Sequence, residues 1–180
     1  MPFDYPFRPS VRAAVFVALL LALTAGAQSA QAQNYGWFSL DLPQGWQAEA
    51  PSTLADAWVL SLTGPEEAVH VRIMVGKTAG PPDAADVAGL LRAAAGVREP
   101  VRRADAQYAF RGKDALGMDT ACVVGADPQA GLYMAVLCSG ELDRAEELLA
   151  ALRGGKNPAM LPVRHTVRGS LEPRFMPAAP

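Results

Sequence analysis

Residues 36–46 read GWFSLDLPQGW, and the spacing of apolar residues in that stretch decides the first element of the fold. Phe38, Leu40 and Leu42 alternate with Ser39 and Asp41, the period of a strand with one buried face. Leu42-Pro43-Gln44-Gly45 suits a type I turn, with proline second and glycine fourth. Trp46, Ala48 and Ala50 continue the alternation, with Gln47 and Glu49 facing water. On this reading Phe38, Leu40 and Leu42 enter the core and Trp46 plugs the end of a sheet. Trp37 is on the opposite parity, an exposed aromatic that fills an edge.

Further along, Trp58, Leu60 and Leu62 repeat the pattern, Thr63-Gly64-Pro65-Glu66 turns the chain, and Val69, Val71, Ile73 and Val75 alternate with His70, Arg72 and Met74. Residues 57–63 and 68–75 therefore read as a hairpin. Asp83 caps a helix that presents Val87, Leu90, Leu91 and Ala94 on one face and stops at Gly96. Tyr108 and Phe110 mark another strand. Residues 116–125 and 132–138 are apolar on both faces, as central strands covered on two sides are. Asp127–Gly131 is the turn between them. Pairing across it places Cys122 opposite Cys138, close enough for a cross-strand disulfide in that register. Ser139 or Gly140 opens a last helix with Leu142, Ala145, Leu149 and Leu152 inward and Leu148 beside them, ended by Gly154-Gly155. Runs of strands punctuated by single helices predict an α+β domain, an antiparallel β-sheet with two helices packed on it.

The first 32 residues have the order of a secretory signal peptide: Arg8 and Arg12, an apolar run at Ala13–Ala25, then small residues at Ala30 and Ala32. The run is 13 residues long, short of the ~20 that span a bilayer. The segment has no cysteine for a lipid anchor and no twin arginine, which predicts export unfolded to the periplasm or the medium. Removing 32 of 180 residues leaves 148, one domain over 33–154 followed by a basic, proline-rich, flexible tail at 155–180. From Gln33 to Arg153 the formal charge is −6, which argues against nucleic acid as a partner. From Gly154 onward it is +3. There Arg164, Arg168 and Arg174 mix with Leu161, Val163, Val167, Phe175 and Met176, a composition able to touch anionic surfaces but too sparse for strong membrane attraction.

An exported small domain that begins aromatic-x-aliphatic-x-aliphatic-Pro-x-Gly-Trp resembles the PsbP-like superfamily: PsbP, the Ran-binding Mog proteins and the DcrB-like envelope proteins. Phe38, Leu40, Leu42, Pro43, Gly45 and Trp46 carry the resemblance, which covers roughly Tyr35–Arg153. It implies an antiparallel sheet with helices, and binding or assembly roles generally without catalysis. The matched motif is structural, so no binding residue carries over. The chain departs from DcrB-like proteins in lacking a lipid-anchoring cysteine and in its basic tail.

Residues that could carry chemistry are few. His70 lies on a polar strand face and His165 in the tail, neither beside a carboxylate at ligand spacing, so no metal site is expected. Haem, Walker, dinucleotide and nucleophile-elbow motifs are lacking, and no cofactor is expected. Asp114, Asp119 and Asp127 surround one hairpin, and two of them held ~5–9 Å apart could do acid–base work. The plainer reading pairs Asp119 with Arg102, Arg103 or Arg111. Cys122 and Cys138 are not spaced as a Cys-x-x-Cys pair and lie in apolar strands, which favours a structural bond over redox work. The sequence thus points to a non-enzymatic, exported binding or accessory protein of the cell envelope with an unidentified protein partner. A carboxylate-dependent hydrolase and a thiol redox protein are the alternatives. The concavity at Trp37 and the tail are the candidate surfaces.

Overall fold

The computed structural model describes residues 32–77, 83–104 and 107–161. The expected signal peptide at 1–32, apart from Ala32, and the expected tail from 162 on, with His165 and its arginines, lie outside them. The strands are β1 (Gln33–Asn34), β2 (Phe38–Leu40), β3 (Gln47–Ala48), β4 (Ser52–Leu54), β5 (Ala57–Thr63), β6 (Val69–Lys77), β7 (Arg102–Ala104), β8 (Gln107–Lys113), β9 (Asp119–Asp127), β10 (Leu132–Gly140) and β11 (Leu152–Gly154). The helices are α1 (Ala84–Ala95) and α2 (Leu142–Ala151). An eight-stranded sheet runs β3-β5-β6-β10-β9-β8-β7, with β4 also on β5, and a small sheet runs β1-β2-β11. All the ladders are antiparallel. The α+β class and the two helices on an antiparallel sheet are as the sequence predicts, and β9 and β10 are central strands.

The two helices cover opposite faces of the large sheet. On the first face Leu60, Leu62, Val71, Ile73, Val123 and Val136 meet Leu142, Ala145, Leu148 and Leu149 of α2, with Phe38, Leu40 and Trp46 completing the core. On the second face Val59, Met74, Phe110, Val124 and Ala135 meet Ala84 and Ala88 of α1. Burying each large aliphatic or aromatic side chain contributes roughly 1.5–3 kcal/mol. Asp83 caps α1 by accepting the Ala85 amide at 2.8 Å, and Gly96 ends it. Of the stripe expected for α1, Val87 and Leu91 pack against this cluster, but Leu90 is 73 % exposed and Ala94 is exposed too. Small side chains at Ala84 and Ala88 let the helix lie close to the strands, which rotates Leu90 outward.

The opening stretch folds as a core strand and a turn. Phe38 and Leu40 are buried and Leu42 packs against the same cluster. The turn falls one residue later than expected: the Trp46 amide donates to Pro43 O at 3.2 Å, and Gly45 takes φ +83° in the third position, the pattern of a type II turn. Trp46 is buried as expected, and its indole Nε1 has no hydrogen-bond partner among the described residues. The next strand is only Gln47–Ala48, and Ala48 and Ala50 are exposed rather than inward.

Two other boundaries move. Ser139 and Gly140 finish β10, Glu141 stands at the N-cap of α2, and Leu152–Gly154 pairs with β2 instead of continuing the helix. The packed part of the chain also runs past Gly154. Met160 is fully buried, and the Gln107 side-chain amide donates to Leu161 O, so residues 155–161 belong to the folded domain rather than to a flexible tail.

The expected disulfide is absent, and the reason is register. Cys122 pairs with Leu137, and Cys138 with Ala121. Partners in an antiparallel ladder share a face, and neighbours along a strand alternate, so the two thiols point to opposite faces. Cys138 lies in the cluster under α2 and Cys122 in the one under α1. The Asp127 carboxylate accepts the Gln129 and Ala130 amides, so the connection closes from Asp127 to Leu132, one step from the register that would face the cysteines. Burial raises the Cys122 thiol pKa well above its usual value, with the Cys138 charge adding to the effect, and pushes Cys138 up to about 12. At pH 8 ionisation alone should slow Cys138 by roughly a thousandfold relative to an ordinary thiol. Native protein should therefore resist a thiol-specific disulfide reagent, and both cysteines should react once guanidinium unfolds the chain without reductant. Two thiols missing in guanidinium would overturn this arrangement.

Candidate functional site

The second sheet face is covered over only part of its length, and the uncovered part forms a groove. Register decides what lies there. Val59, Met74, Ala135, Val124 and Tyr108 form one row across five strands, packed with the cluster beneath α1. One row on come Ser61, Arg72, Leu137, Cys122 and Phe110. Beyond that lie Thr63, His70, Ser139, Thr120 and Gly112, where α1 has ended and side chains turn polar. The alternation of β5 and β6 places Ser61, Thr63, His70 and Arg72 on this face, since their neighbours Leu60, Leu62, Val71 and Ile73 occupy the other.

The groove has about 420 Å³ and two unlike walls. Glu49, Ser61, Thr63, His70 and Arg72 form the polar wall. The end of α1 and the β8–β9 turn form the other, with Ala94, Ala115, Leu116 and Met118. Leu116 is 82 % exposed and Met118 38 % exposed, so two large apolar side chains stand at the rim. The β8–β9 turn is held firmly. Asp114 Oδ1 accepts the amides of Leu116 at 2.8 Å and Met118 at 2.9 Å, and Oδ2 accepts the Thr120 hydroxyl at 3.2 Å. Desolvation pushes the Asp114 carboxyl upward, but these bonds together with one from Gly117 outweigh it and hold it below the usual carboxylate range. The Ala115 amide also donates to Ala95 O, which ties the turn to the end of α1.

Short polar links cross the floor. Thr63 Oγ1 is 3.4 Å from His70 Nδ1, and Thr120 Oγ1 is 3.1 Å from Ser139 Oγ. Thr120 is fully buried, so its bonds to Asp114 and Ser139 satisfy a group that would otherwise cost stability. This arrangement offers hydrogen-bond donors and acceptors, a guanidinium and an apolar rim to a ligand.

The residues singled out from sequence scatter. Asp119 forms an ion pair with Lys113 at 2.8 Å, both side chains more than half exposed, and its partner is an ammonium rather than a second carboxylate. Asp127 caps the β9–β10 turn and accepts Asn157 Nδ2 at 3.0 Å. Asp114, the third acid of that hairpin, lies in the groove wall. His70 is on the polar face as expected, beside Arg72. Trp37 is half-buried, its ring 5.4 Å from that of Trp58, in a cluster with Tyr35 and Phe38. Thr63, Thr120 and Ser139 escaped the sequence reading. The signal for the last two was a hydroxyl near the end of an otherwise apolar strand. Among the described residues no three His, Cys, Asp or Glu side chains gather as metal ligands, and no helix is long and apolar enough to cross a membrane.

The sequence matches no family model and no curated protein. A solved structure from Bacteroides thetaiotaomicron VPI-5482 is similar at 14 % identity and a TM-score of 0.37. The likeness covers 67 % of this chain and 46 % of that one, so the chain spans about half the length of the protein it matches. A likeness of that degree carries no argument about function.

Proposed function

We propose that the protein is an exported, non-enzymatic accessory protein of the cell envelope, of the PsbP-like kind, and that it holds a protein partner in the groove between the β8–β9 turn and the β5–β6 hairpin. The observation that carries this reading is the pairing of exposed Leu116 and Met118 with Arg72 and His70 across one groove. An apolar anchor beside a cation is the pattern of a binding hot spot, and it suits a partner segment with an apolar residue followed by an acidic one. The PsbP-like reading rests on the Phe38–Trp46 stretch and the order of elements. The leader-like sequence of the first 32 residues supports export.

A photo-reactive benzoylphenylalanine placed at Met118 in the native host tests the groove. It should give a discrete adduct that a probe at Leu54, which pairs with Ala57 at the other end of β5 from Thr63, does not. Leu116→Asp and Arg72→Glu should each reduce that adduct by about tenfold or more, the size of a hot-spot loss. Equal adducts from both probes, or none from Met118, would overturn the groove as the docking place. Fractionation of the same cells should find the chain outside the cytoplasm and shortened after Ala32. An intact cytoplasmic chain would overturn export.

A further inference from the structure

The groove carries its chemistry in a definite order across the strands. Glu49 stands at one side, where its amide donates to Ser61 O of β5 at 3.0 Å. Ser61 pairs with Arg72 on β6, and Arg72 with Leu137 on β10. Leu116 and Met118 rise on the far side. From one side to the other the groove is thus anion, cation, apolar rim. Two strand spacings, about 10 Å, separate the backbones of Glu49 and Arg72. Both residues are exposed. Neither the Glu49 carboxylate nor the Arg72 guanidinium has a hydrogen-bond or ion-pair partner among the described residues. One stretch of the chain has the complementary order. Beyond Leu161 the sequence contains a single acidic residue, Glu172, and it stands in Leu171-Glu172-Pro173-Arg174.

We infer that residues 171–174 of the same chain occupy this groove and are displaced when the protein partner docks. The inference rests on the reading of the groove as a docking place. In the bound arrangement Leu171 meets Leu116 and Met118, Glu172 meets Arg72, and Arg174 meets Glu49. Proline fixes its own φ and biases the residue before it to extended backbone, which sets Glu172 and Arg174 about 7 Å apart. The long arginine side chain closes the remaining gap to Glu49. The length of chain is sufficient. Leu161 is held beside the start of β8, where its carbonyl accepts the Gln107 side-chain amide, and the Asp114 turn follows the end of that strand. The seven residues of β8 span about 20 Å, and passing from one sheet face to the other adds about 10 Å. Ten residues from Leu161 to Leu171 reach roughly 33–36 Å when extended. A tether that short gives an effective concentration on the order of 1 mM, so contacts too weak to hold a free peptide fill the groove.

The test uses the purified mature protein with its full tail and benzoylphenylalanine at Met118, as an equal mixture of isotope-labelled and unlabelled chains. Irradiation, trypsin digestion and mass spectrometry should find the β8–β9 turn joined to the peptide 169–174, within one chain and in a yield that dilution does not change. Glu172→Arg and Arg72→Glu should each lower that yield about tenfold, because each sets like charges face to face. The two together should restore it, a result that general loss of folding cannot produce. Arg164→Glu changes the charge of the tail outside the matching residues and should leave the yield as it is. In the native host Glu172→Arg should raise the partner adduct of the same probe. No adduct to 169–174, an adduct joining a labelled to an unlabelled chain, or a double variant no better than the single ones would overturn the inference. The first of these beside a persisting partner adduct in the host leaves the docking place standing and removes the tail from it. A charge-dependent tail adduct without any partner adduct supports the tail in the groove and overturns the partner reading instead.

Discussion

Phe38→Ala should destabilise the folded domain by about 3–5 kcal/mol, the range for truncating a fully buried phenylalanine. Phe38 is 0 % exposed, and its ring lies 5.1 Å from Tyr35 and 5.8 Å from Trp58. Alanine would remove the transfer free energy of the ring and leave a cavity that β2 cannot close. Collapse is blocked because β2 is held on one side by β1 and on the other by β11, where Phe38 pairs with Gly154. Domains are typically stable by only 5–15 kcal/mol, so this one change would remove a third or more of the total in most cases. Urea unfolding should show a lower midpoint with an unchanged slope. Trp37→Ala, at a half-buried site in the same stretch, should cost clearly less. A loss below about 1 kcal/mol at Phe38 would mean that the small sheet is not part of the cooperative core.

Gly140→Ala should cost a comparable amount, about 2–6 kcal/mol, although it adds a single methyl group. Two effects combine. Gly140 has φ +104°, where an L-residue is strained by about 1–3 kcal/mol. A Cβ there would also stand 2.2 Å from Ala68 O and 3.1 Å from Val69 Cα, both main-chain atoms. That carbonyl cannot retreat easily, because it accepts the Glu141 amide at 2.9 Å. Relieving the overlap therefore moves the start of α2 relative to β6, and backbone shifts of this kind cost about 1–3 kcal/mol. Gly117→Ala isolates the first effect: φ is +81°, and its Cβ would meet nothing within 4 Å. Thermal unfolding should place the Gly117 variant between wild type and the Gly140 variant. Equal melting temperatures for all three would show that the junction of β10 and α2 is free to move.

Both results depend on features that differ in how far they can be read from sequence. Phe38 is legible, since period-two alternation marks its buried parity directly. Gly140 is legible only as a glycine near a helix start, because the Ala68 carbonyl that excludes a methyl group is 72 positions away in the chain. The candidate groove divides in the same way. His70 and Arg72 declare a polar strand face, and the Asp114 turn is a local device. That α1 stops short of the last polar row, and that Leu116 and Met118 rise beside it, are consequences of packing. Leu90 went astray for a related reason: helical spacing identifies a stripe but not which edge of the stripe a sheet will accept.

The sequence by itself determined the α+β class, the two central strands, the Asp83 cap of the first helix and the core role of Phe38, Leu40 and Trp46. Each of these depends on neighbours within a few positions, where side-chain period and turn chemistry act directly. Only the tertiary structure decided the register of β9 on β10, and with it the separation of Cys122 from Cys138. Both strands are apolar on both faces, so a shift of one residue exchanges one apolar set for another and alternation carries no information about the choice. The four-residue connection closed by Asp127 makes that choice, and it places one thiol under each helix.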